Sequence, residues 1–274
     1  MSKPVRIWGI PFTPMTRPQA VEAIMALAEA GRPSYFITAN LHYAMLTHQH
    51  PVLGSINERA AFVLADGAPI VWASRWQRTP LPERVAGSDL IFDLCEEAAA
   101  RGLRPFLLGG AEGVAEAAAR RLEALYPGLR VAGTACPPHR DLEEEEFDRL
   151  IARIREAQPD LLFVAFGQPK GELWIDSHLE RLGVPVCVQV GASLDFVAGR
   201  VRRAPLWVQR ISMEWAYRLS LEPRRLGPRY ASNALFLLRM IAHDLASWNQ
   251  GERSARPIVS GDVLELKREE FETG

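Results

Sequence analysis

The feature that most constrains the fold of this chain is a regular alternation of short apolar runs with helical patterns over its first two hundred residues. Seven runs carry three or more apolar residues and end in a turn or cap signal. They are VRIWGI, YFITA, AFVLAD, RPFLLGG, LRVAGT, LLFVAFG and VPVCVQVGA. Between two of them, Phe147, Leu150, Ile151 and Ile154 recur at the spacing of one helical face. The alternation predicts an α/β fold in which helices flank a mainly parallel, Rossmann-like sheet.

The ends of the chain and its cysteines narrow the class of protein. The N-terminal stretch MSKPVRIWGIPF has no long apolar run behind its basic residues, so we expect neither a signal peptide nor an N-terminal membrane anchor. Cys95, Cys136 and Cys187 are widely separated and lack paired metal spacing, which predicts reduced, mostly buried thiols. We therefore expect a cytoplasmic protein. His42 and its neighbours have no carboxylate or cysteine at ligand spacing, so we expect no zinc site there.

Positive charge is concentrated in one segment of an otherwise acidic chain. Residues 200–229 contain eight arginines and two glutamates, a net charge of +6, whereas the rest of the chain carries −7. Arginine binds phosphates through a bidentate fork, so this segregation predicts an anionic ligand or surface at one end of the molecule. The alternatives are a solvated basic face without a partner and a nucleic-acid surface. The second is disfavoured because no nucleic-acid module is recognisable and the acidic remainder would repel a polyanion.

A binding site is expected beyond the carboxyl ends of the predicted strands, where loops and helix N-termini converge in open sheets of this class. The residues that follow the apolar runs are small or polar. They are Thr38 and Asn40, Asp66 and Gly67, Gly109 and Gly110, Gly167 and Gln168, and Gly191, Ser193 and Asp195.

Asp66 is a sharper signal than the glycine pair Gly109 and Gly110, and each has a structural alternative. Asp66 ends an apolar run before Gly67, so it is either a general base for a substrate hydroxyl or an Asx-turn or cap for the next helix. Gly109 and Gly110 precede a helix and form either a phosphate cradle or a simple tight turn. Asp195 is either a ligand or a helix cap. Gln168, Lys170 and Glu172 offer polar contacts to a sugar or a base.

A long helical pattern follows residue 200. Leu235, Leu238 and Leu245 recur at helical spacing, but Arg239 and His243 interrupt the pattern too centrally for a membrane span. This helix either lies on a bilayer surface with its flanking arginines or docks onto the α/β core. We divide the chain into an α/β domain at 1–199, a helical appendage at 200–250 and a charged tail at 251–274.

Seven stretches in this order resemble the WecG/TagA/CpsF family of bacterial glycosyltransferases, glycosyltransferase family 26. They are ITAN, LADGAPIVW, ERVAGSDLI, FLLGG with LYPGLRVAGT, GQPKGELWI, VGASLDFVAGRVRRAP and EWAYRLSLEPRRLGPRY, and they span Ile37 to Tyr230. The resemblance implies an inverting transferase that moves an N-acetylmannosamine-type or related sugar from a UDP-sugar to an undecaprenyl-diphosphate-linked sugar in cell-surface polysaccharide synthesis. It implies no metal or other cofactor, and no nucleic-acid partner.

The resemblance also assigns roles to residues of this chain. It makes Asp66 the base, places Arg84 in the same crevice, and lines the sugar pocket with Thr38 and Asn40. The arginine-rich appendage would close over the site at the inner face of the plasma membrane. Four of its arginines would then contact diphosphate groups: Arg203, Arg218, Arg224 and Arg225. Trp207 and Trp215 would sit at the lipid headgroups. The sequence leaves open whether the chain forms a homo-oligomer.

One position departs from the family pattern. The family carries G-x-P-x-Q-E after the sixth strand, and Gly171 stands here at the glutamine position, in GQPKGE. Gln168, three residues earlier, offers an amide from the loop. Because of this departure, the sequence does not determine which donor sugar is used. The alternative is a nucleotide-sugar-binding or scaffolding protein that has lost catalysis.

Overall fold

A computed structural model describes residues 3–76, 79–138, 140, 143–210 and 212–249. Its first two strands, β1 (Val5–Ile7) and β2 (Ile10–Phe12), pair antiparallel in a small hairpin. Six further strands form one parallel sheet in the order β4-β3-β8-β7-β5-β6. They are β3 (Ser34–Ala39), β4 (Phe62–Ala65), β5 (Pro105–Gly109), β6 (Gly133–Ala135), β7 (Leu161–Ala165) and β8 (Val186–Gln189).

Helices cover both faces of this sheet, and a helical segment follows it. They are α1 (Arg17–Ala30), α2 (Leu41–Gln49), α3 (Pro51–Arg59), α4 (Ala68–Ser74), α5 (Gly87–Arg101), α6 (Val114–Leu125), α7 (Glu144–Ala157), α8 (Lys170–Leu182), α9 (Ser193–Val197), α10 (Leu206–Arg210), α11 (Glu214–Leu221) and α12 (Pro223–Asn249). Side chains alternate between two cores along each strand, as Phe106 and Leu108 on one face and Leu107 on the other illustrate. The predicted α/β, Rossmann-like fold is confirmed.

Three local predictions were wrong. The run VRIWGI is not a strand of the main sheet, because Trp8 and Gly9 take positive φ angles of 49° and 79° and reverse the chain into the hairpin. In LRVAGT only the last two residues, with Ala135 beyond them, pair with the sheet. The stretch GSDLIFDLCEEAAARG predicts a helix with Ser88 as its N-cap and Gly102 as its C-cap. Helix α5 begins at Gly87, so the first prediction is wrong, whereas the left-handed cap at Gly102 confirms the second.

The register of the sheet gathers the predicted site residues at one edge. Thr38 of β3 is paired with Leu64 of β4, and the Asp66 N–H donates to the Ala39 carbonyl at 2.9 Å. The central strand β8 lies between β3 and β7. The loops that leave β3, β4, β7 and β8 therefore open on the same crevice, as expected for an open parallel sheet.

The C-terminal helix α12 docks onto the core along one face. Asn233 contacts His42 of α2 at 3.1 Å, and the Trp8 indole N–H donates to Asp244 at 3.0 Å. Phe236 packs edge-on against Trp8, with ring centroids 5.9 Å apart. The opposite face presents exposed leucines, so the helix both docks and leaves an apolar stripe outside: Leu235, Leu238 and Leu245. Among the helices of the described residues, none is both long and apolar enough to cross a bilayer.

Candidate active site

Asp66 lies at the tip of β4 and is held by the backbone of the next loop. Its Oδ2 accepts a hydrogen bond of 3.3 Å from the Gly87 N–H, at the start of α5. The cap position of α4 belongs to Gly67, and no side-chain bond caps that helix. Asp66 is therefore not a helix cap, and its partly buried carboxyl group faces the crevice loops instead.

The surroundings of Asp66 suit it to accept a proton near neutral pH. Burial raises its pKa to about 7, while the Arg84 guanidinium and the Gly87 N–H pull the pKa down. The carboxylates of Asp89 and Glu214 raise it further. A general base works best when its pKa lies near the working pH, so this environment favours acid–base chemistry.

A network of charges connects the crevice to the C-terminal segment. Asp89 of α5 lies 3.7 Å from Arg84 and 2.6 Å from Arg203, measured between the nearest nitrogen and oxygen atoms. Arg203 also lies 3.5 Å from Glu214 of α11. Arg17 pairs with Asp93 one turn further along α5. Because Asp89 meets arginines from both regions, it fixes the segment after residue 200 against the loop that carries Arg84.

The backbone at the start of α5 closely approaches Thr38, beside Asp66. A Cβ atom at Gly87 would lie 2.9 Å from the Thr38 Oγ1, so only glycine allows the start of α5 to come this near. Thr38 is buried, and its carbonyl accepts a hydrogen bond of 3.3 Å from the Gln168 side chain. The structure thus brings Thr38, Asp66 and Gln168 together, as the sequence predicts.

Asn40 has a local structural task in addition to any contact with substrate. It is the N-cap of α2, where its Oδ1 accepts a hydrogen bond of 3.0 Å from the Tyr43 N–H. The Asn40 Cα lies 3.8 Å from the Cβ position of Gly67, so the residue does border the Asp66 loop. Its amide nitrogen is the part that remains for a ligand.

Glu172 is a second buried acid at the same edge. It lies in the first turn of α8 and is only 3% exposed, and its Oε2 has no hydrogen-bond partner in the structure. Burial raises its pKa to about 8, against the opposing effects of its own backbone N–H and of the Gln168 side chain. Glu172 is therefore mostly protonated at neutral pH and can donate a hydrogen bond.

The glycine pair forms a strained turn that only glycine adopts easily. Gly109 and Gly110 have φ angles of 98° and 82°, and Gly113 at the cap of α6 has 78°. The Gly110 carbonyl accepts from the Cys136 thiol at 3.2 Å. Beside Cys136 a surface cavity of about 230 Å³ opens, with Arg149 and Arg153 in its wall. This geometry is compatible with both alternatives, a phosphate cradle and a simple tight turn.

The C-terminal arginines lie around α9, which follows β8 at the carboxyl edge. Arg218 stacks over the Phe196 ring, with its guanidinium carbon 5.4 Å from the centroid. Arg225 pairs with Glu222 and is close enough to Asp195 for that carboxylate to help raise its pKa. Arg224 is exposed. Asp195 lies inside α9, so the alternative that it caps this helix is wrong.

The sequence reasoning missed three residues of this arrangement. Asp89 and Glu214 appeared there only as ordinary charges, and Gln189 only as part of a strand. The signal for Asp89 was present, because an acid in the first turn of a helix after the crevice loop is a natural partner for Arg84. Gln189 carried a signal too, since it is a polar residue at the end of a buried run.

Comparison with known proteins gives a consistent result. A family model described as "Glycosyl transferase WecG/TagA/CpsF family" matches residues 5–250. Proteins of Staphylococcus aureus strains NCTC 8325 / PS 47, COL and MSSA476 are each 30% identical over 238 residues, which cover 86% of this chain and 91% of each relative. Each is named N-acetylglucosaminyldiphosphoundecaprenol N-acetyl-beta-D-mannosaminyltransferase.

Proposed function

The chain belongs to the WecG/TagA/CpsF family of glycosyl transferases, and from that premise we propose the reaction it catalyses. It transfers an N-acetylmannosamine-type or related sugar from a UDP-sugar to a sugar carried on undecaprenyl diphosphate, in the synthesis of a cell-surface polysaccharide. The names of the Staphylococcus aureus relatives support the acceptor and the sugar type. The extent of the match, over most of both chains, supports a shared reaction.

In this proposal Asp66 is the general base of an inverting displacement. The acceptor hydroxyl gives its proton to the Asp66 carboxylate while its oxygen bonds to the anomeric carbon of the donor. The bond between that carbon and the diphosphate oxygen breaks on the opposite face, and UDP leaves with the electron pair. The single observation that carries the proposal is the position of Asp66: a partly buried carboxylate with a pKa of about 7, held at the crevice by Gly87.

Positive side chains and backbone amides stabilise the charge that develops on the leaving diphosphate. Arg84 lies within the electrostatic reach of Asp66, and Arg218 and Arg225 border α9 at the same edge of the sheet. The exposed Arg224 completes this group. The turn at Gly109 and Gly110 would offer backbone N–H groups to a donor phosphate. No metal or other cofactor has a part in this proposal.

Arg203 takes a different place in the proposal from the other arginines. Arg203 forms an ion pair with Asp89 and lies beside Glu214. It would have to break the ion pair with Asp89 to contact a diphosphate. Its geometry supports a positioning role, in which it fixes the appendage over the crevice. A direct contact with diphosphate stays a prediction.

The same segment supports attachment to the inner face of the plasma membrane. Trp207 and Trp215 are 67% and 48% exposed, and three leucines of α12 form an outer apolar stripe. Aromatic and apolar side chains enter the headgroup region, and nearby arginines are attracted to anionic lipid by about 1 kcal/mol each. A lipid-linked acceptor gives such attachment a purpose, because the acceptor stays in the bilayer.

Product analysis tests the proposal. The purified full chain is incubated with a panel of UDP-sugars and a short-chain lipid diphosphate carrying N-acetylglucosamine, and the products are weighed by mass spectrometry. We expect one added N-acetylhexosamine or hexose on the acceptor and the release of UDP. UDP binding without transfer to any acceptor would contradict the proposal and favour a nucleotide-sugar-binding or scaffolding protein.

A further inference from the structure

Gly171 is a glycine because the side chain of another element occupies its space. A Cβ atom at Gly171 would lie 2.1 Å from the Cγ of Gln189, and 3.0 Å from its Cδ. The first distance is too short for real atoms and the second is tighter than most real contacts, and the obstacle includes the Cγ near the root of the side chain rather than only its flexible tip. The first turn of α8 and the end of β8 are therefore fitted to each other at this point.

Gln189 is an unusual residue for its position. It is the last residue of β8, the strand between β3 and β7, and is only 6% exposed. Its Oε1 accepts a hydrogen bond from the Gly191 N–H. Among the described residues, its Nε2 group makes no hydrogen bond, and this group is not fully enclosed by the protein. An amide whose acceptor is used and whose donors remain accessible is suited to a ligand that accepts hydrogen bonds.

Other polar side chains at this edge of the sheet connect the position of Gln189 to the crevice. The Gln168 amide donates to the Thr38 carbonyl at 3.3 Å and interacts with the Glu172 carboxyl group, whose Oε2 has no partner. Glu172 directly follows Gly171 in the chain. The backbone of Gly87 then connects Thr38 to Asp66. Gln189 thus lies in the wall of the crevice whose other side carries the proposed base.

We infer that Gln189 is a specificity-determining residue of the donor pocket, where its Nε2 donates a hydrogen bond to the carbonyl of an acylamino group on the transferred sugar. This inference rests on the proposed function and narrows its donor to UDP-sugars with an acylamino substituent. A carbonyl oxygen only accepts hydrogen bonds, so it matches an amide whose remaining capacity is donation. A plain hexose lacks that carbonyl and therefore forgoes the hydrogen bond that an acylamino sugar gains.

Gly171 and Gln189 should behave as a coupled pair. A glutamine at position 171 with Gln189 still present would collide with it, whereas the exchange Gly171→Gln with Gln189→Gly removes the obstacle and supplies an amide from α8. Residues in direct contact give non-additive effects, and the exchange should therefore recover stability that Gly171→Gln alone loses.

Binding measurements test the inference without requiring turnover. Titration calorimetry on the full chain gives the dissociation constants of UDP-N-acetylmannosamine, UDP-N-acetylglucosamine, UDP-glucose and UDP. The variants are Gln189→Met, which keeps the shape, and Gln189→Glu, which keeps an acceptor oxygen but has no amide donors. Gln49→Met, at an exposed position on α2, is the matched control.

We expect the wild-type chain and Gln49→Met to bind the better of the two acylamino donors at least about tenfold more tightly than UDP-glucose. Both Gln189 variants should lose most of this ratio, by roughly tenfold, with UDP affinity unchanged, because a tenfold change in affinity corresponds to about 1.4 kcal/mol, within the range of one hydrogen bond. An unchanged ratio in both variants, or no preference in the wild-type chain, would overturn the inference. Where one Gln189 variant unfolds, the ratio in the other variant decides.

The two proposals fail separately. A wild-type chain that prefers acylamino donors through Gln189 but never forms product would contradict the proposed transfer and leave this inference standing. A chain that forms product with donor preferences independent of Gln189 would do the reverse.

Discussion

The sheet edge and the C-terminal segment use opposite means to handle charge. At the sheet edge, Asp66 is partly buried and Glu172 is buried, and their pKa values are raised to about 7 and 8. In the C-terminal segment, Arg224 and Arg225 are exposed, and so is Trp207. The difference matches the two tasks that we propose for these regions: proton transfer needs a shielded group with a tuned pKa, and diphosphate binding needs permanent positive charge within reach of solvent.

A small number of contacts joins these two regions. Arg203 reaches Asp89 across 114 positions of sequence, and Glu214 contributes to the field at Asp66. The charged segment is therefore not an independent tail, because its position influences the acid at the centre of the crevice. Substitutions at the sheet edge should therefore change kcat, whereas substitutions in the C-terminal segment should change KM.

The largest effect is expected for the sheet edge. Asp66→Asn keeps the shape of the side chain but cannot accept the acceptor proton, so kcat should fall by roughly a thousandfold. UDP affinity should stay within about twofold, because the variant removes no positive charge. Product formation and calorimetry measure the two quantities. Asp148→Asn, an exposed aspartate on α7, is the matched control and should change neither.

The C-terminal arginines should give the opposite pattern. Replacing both Arg218 and Arg225 by glutamine should raise the KM for the lipid diphosphate by roughly a hundredfold, since charge-assisted hydrogen bonds are worth about 1.5 to 3 kcal/mol each. The pH dependence of kcat should not change, because Asp66 is untouched. Arg120→Gln, exposed on α6, is the control. An unaltered KM in the double variant would remove these arginines from diphosphate binding.

Membrane attachment should depend on the outer stripe of α12. Leu238→Ser removes a 65% exposed leucine, and flotation with vesicles containing anionic lipid should show roughly tenfold weaker binding. Transfer to a short-chain, water-soluble acceptor should be unaffected. Leu125→Ser changes a similarly exposed leucine at the end of α6 and should leave flotation as it is. Equal binding by both variants would contradict a role for the stripe.

The smallest effect concerns stability. Asp66 has a pKa of about 7 when folded and 3.8 as an ordinary aspartate, so the unfolded chain loses its proton first as the pH rises. Its contribution to stability therefore falls between about pH 4 and pH 7 and is constant above that range. Asp66→Asn removes this penalty, and its Tm advantage over the wild type should be at least about 2 °C larger at pH 8 than at pH 5. A difference of the opposite sign would contradict the raised pKa.

The sequence predicts the sheet and much of the crevice because both depend on local patterns. Asp66 and Gln168 follow buried runs, Thr38 lies near the end of one, and the carboxyl ends of parallel strands share one edge. The β1–β2 hairpin was not predictable in this way, since it depends on positive φ angles at Trp8 and Gly9.

Pairings between distant elements could not be predicted from local patterns. The contact between Arg203 and Asp89 depends on how the appendage returns to the sheet, which no local pattern specifies. In the sequence, Gly171 is only a position that lacks the glutamine of the family pattern. The structure shows that Gln189 occupies the space beside it. The fit between α8 and β8 at these two positions becomes visible only when the fold brings them together.

The central claim is that Asp66, tuned by burial, is the general base, and the pH dependence of kcat/KM tests it most directly. For the full-length wild-type chain, log kcat/KM should rise with a slope of about one up to roughly pH 7 and then level off. The residual activity of Asp66→Asn should lack this rise. A wild-type profile that is flat between pH 5 and 8, or an Asp66→Asn profile with the same rise, would contradict the claim.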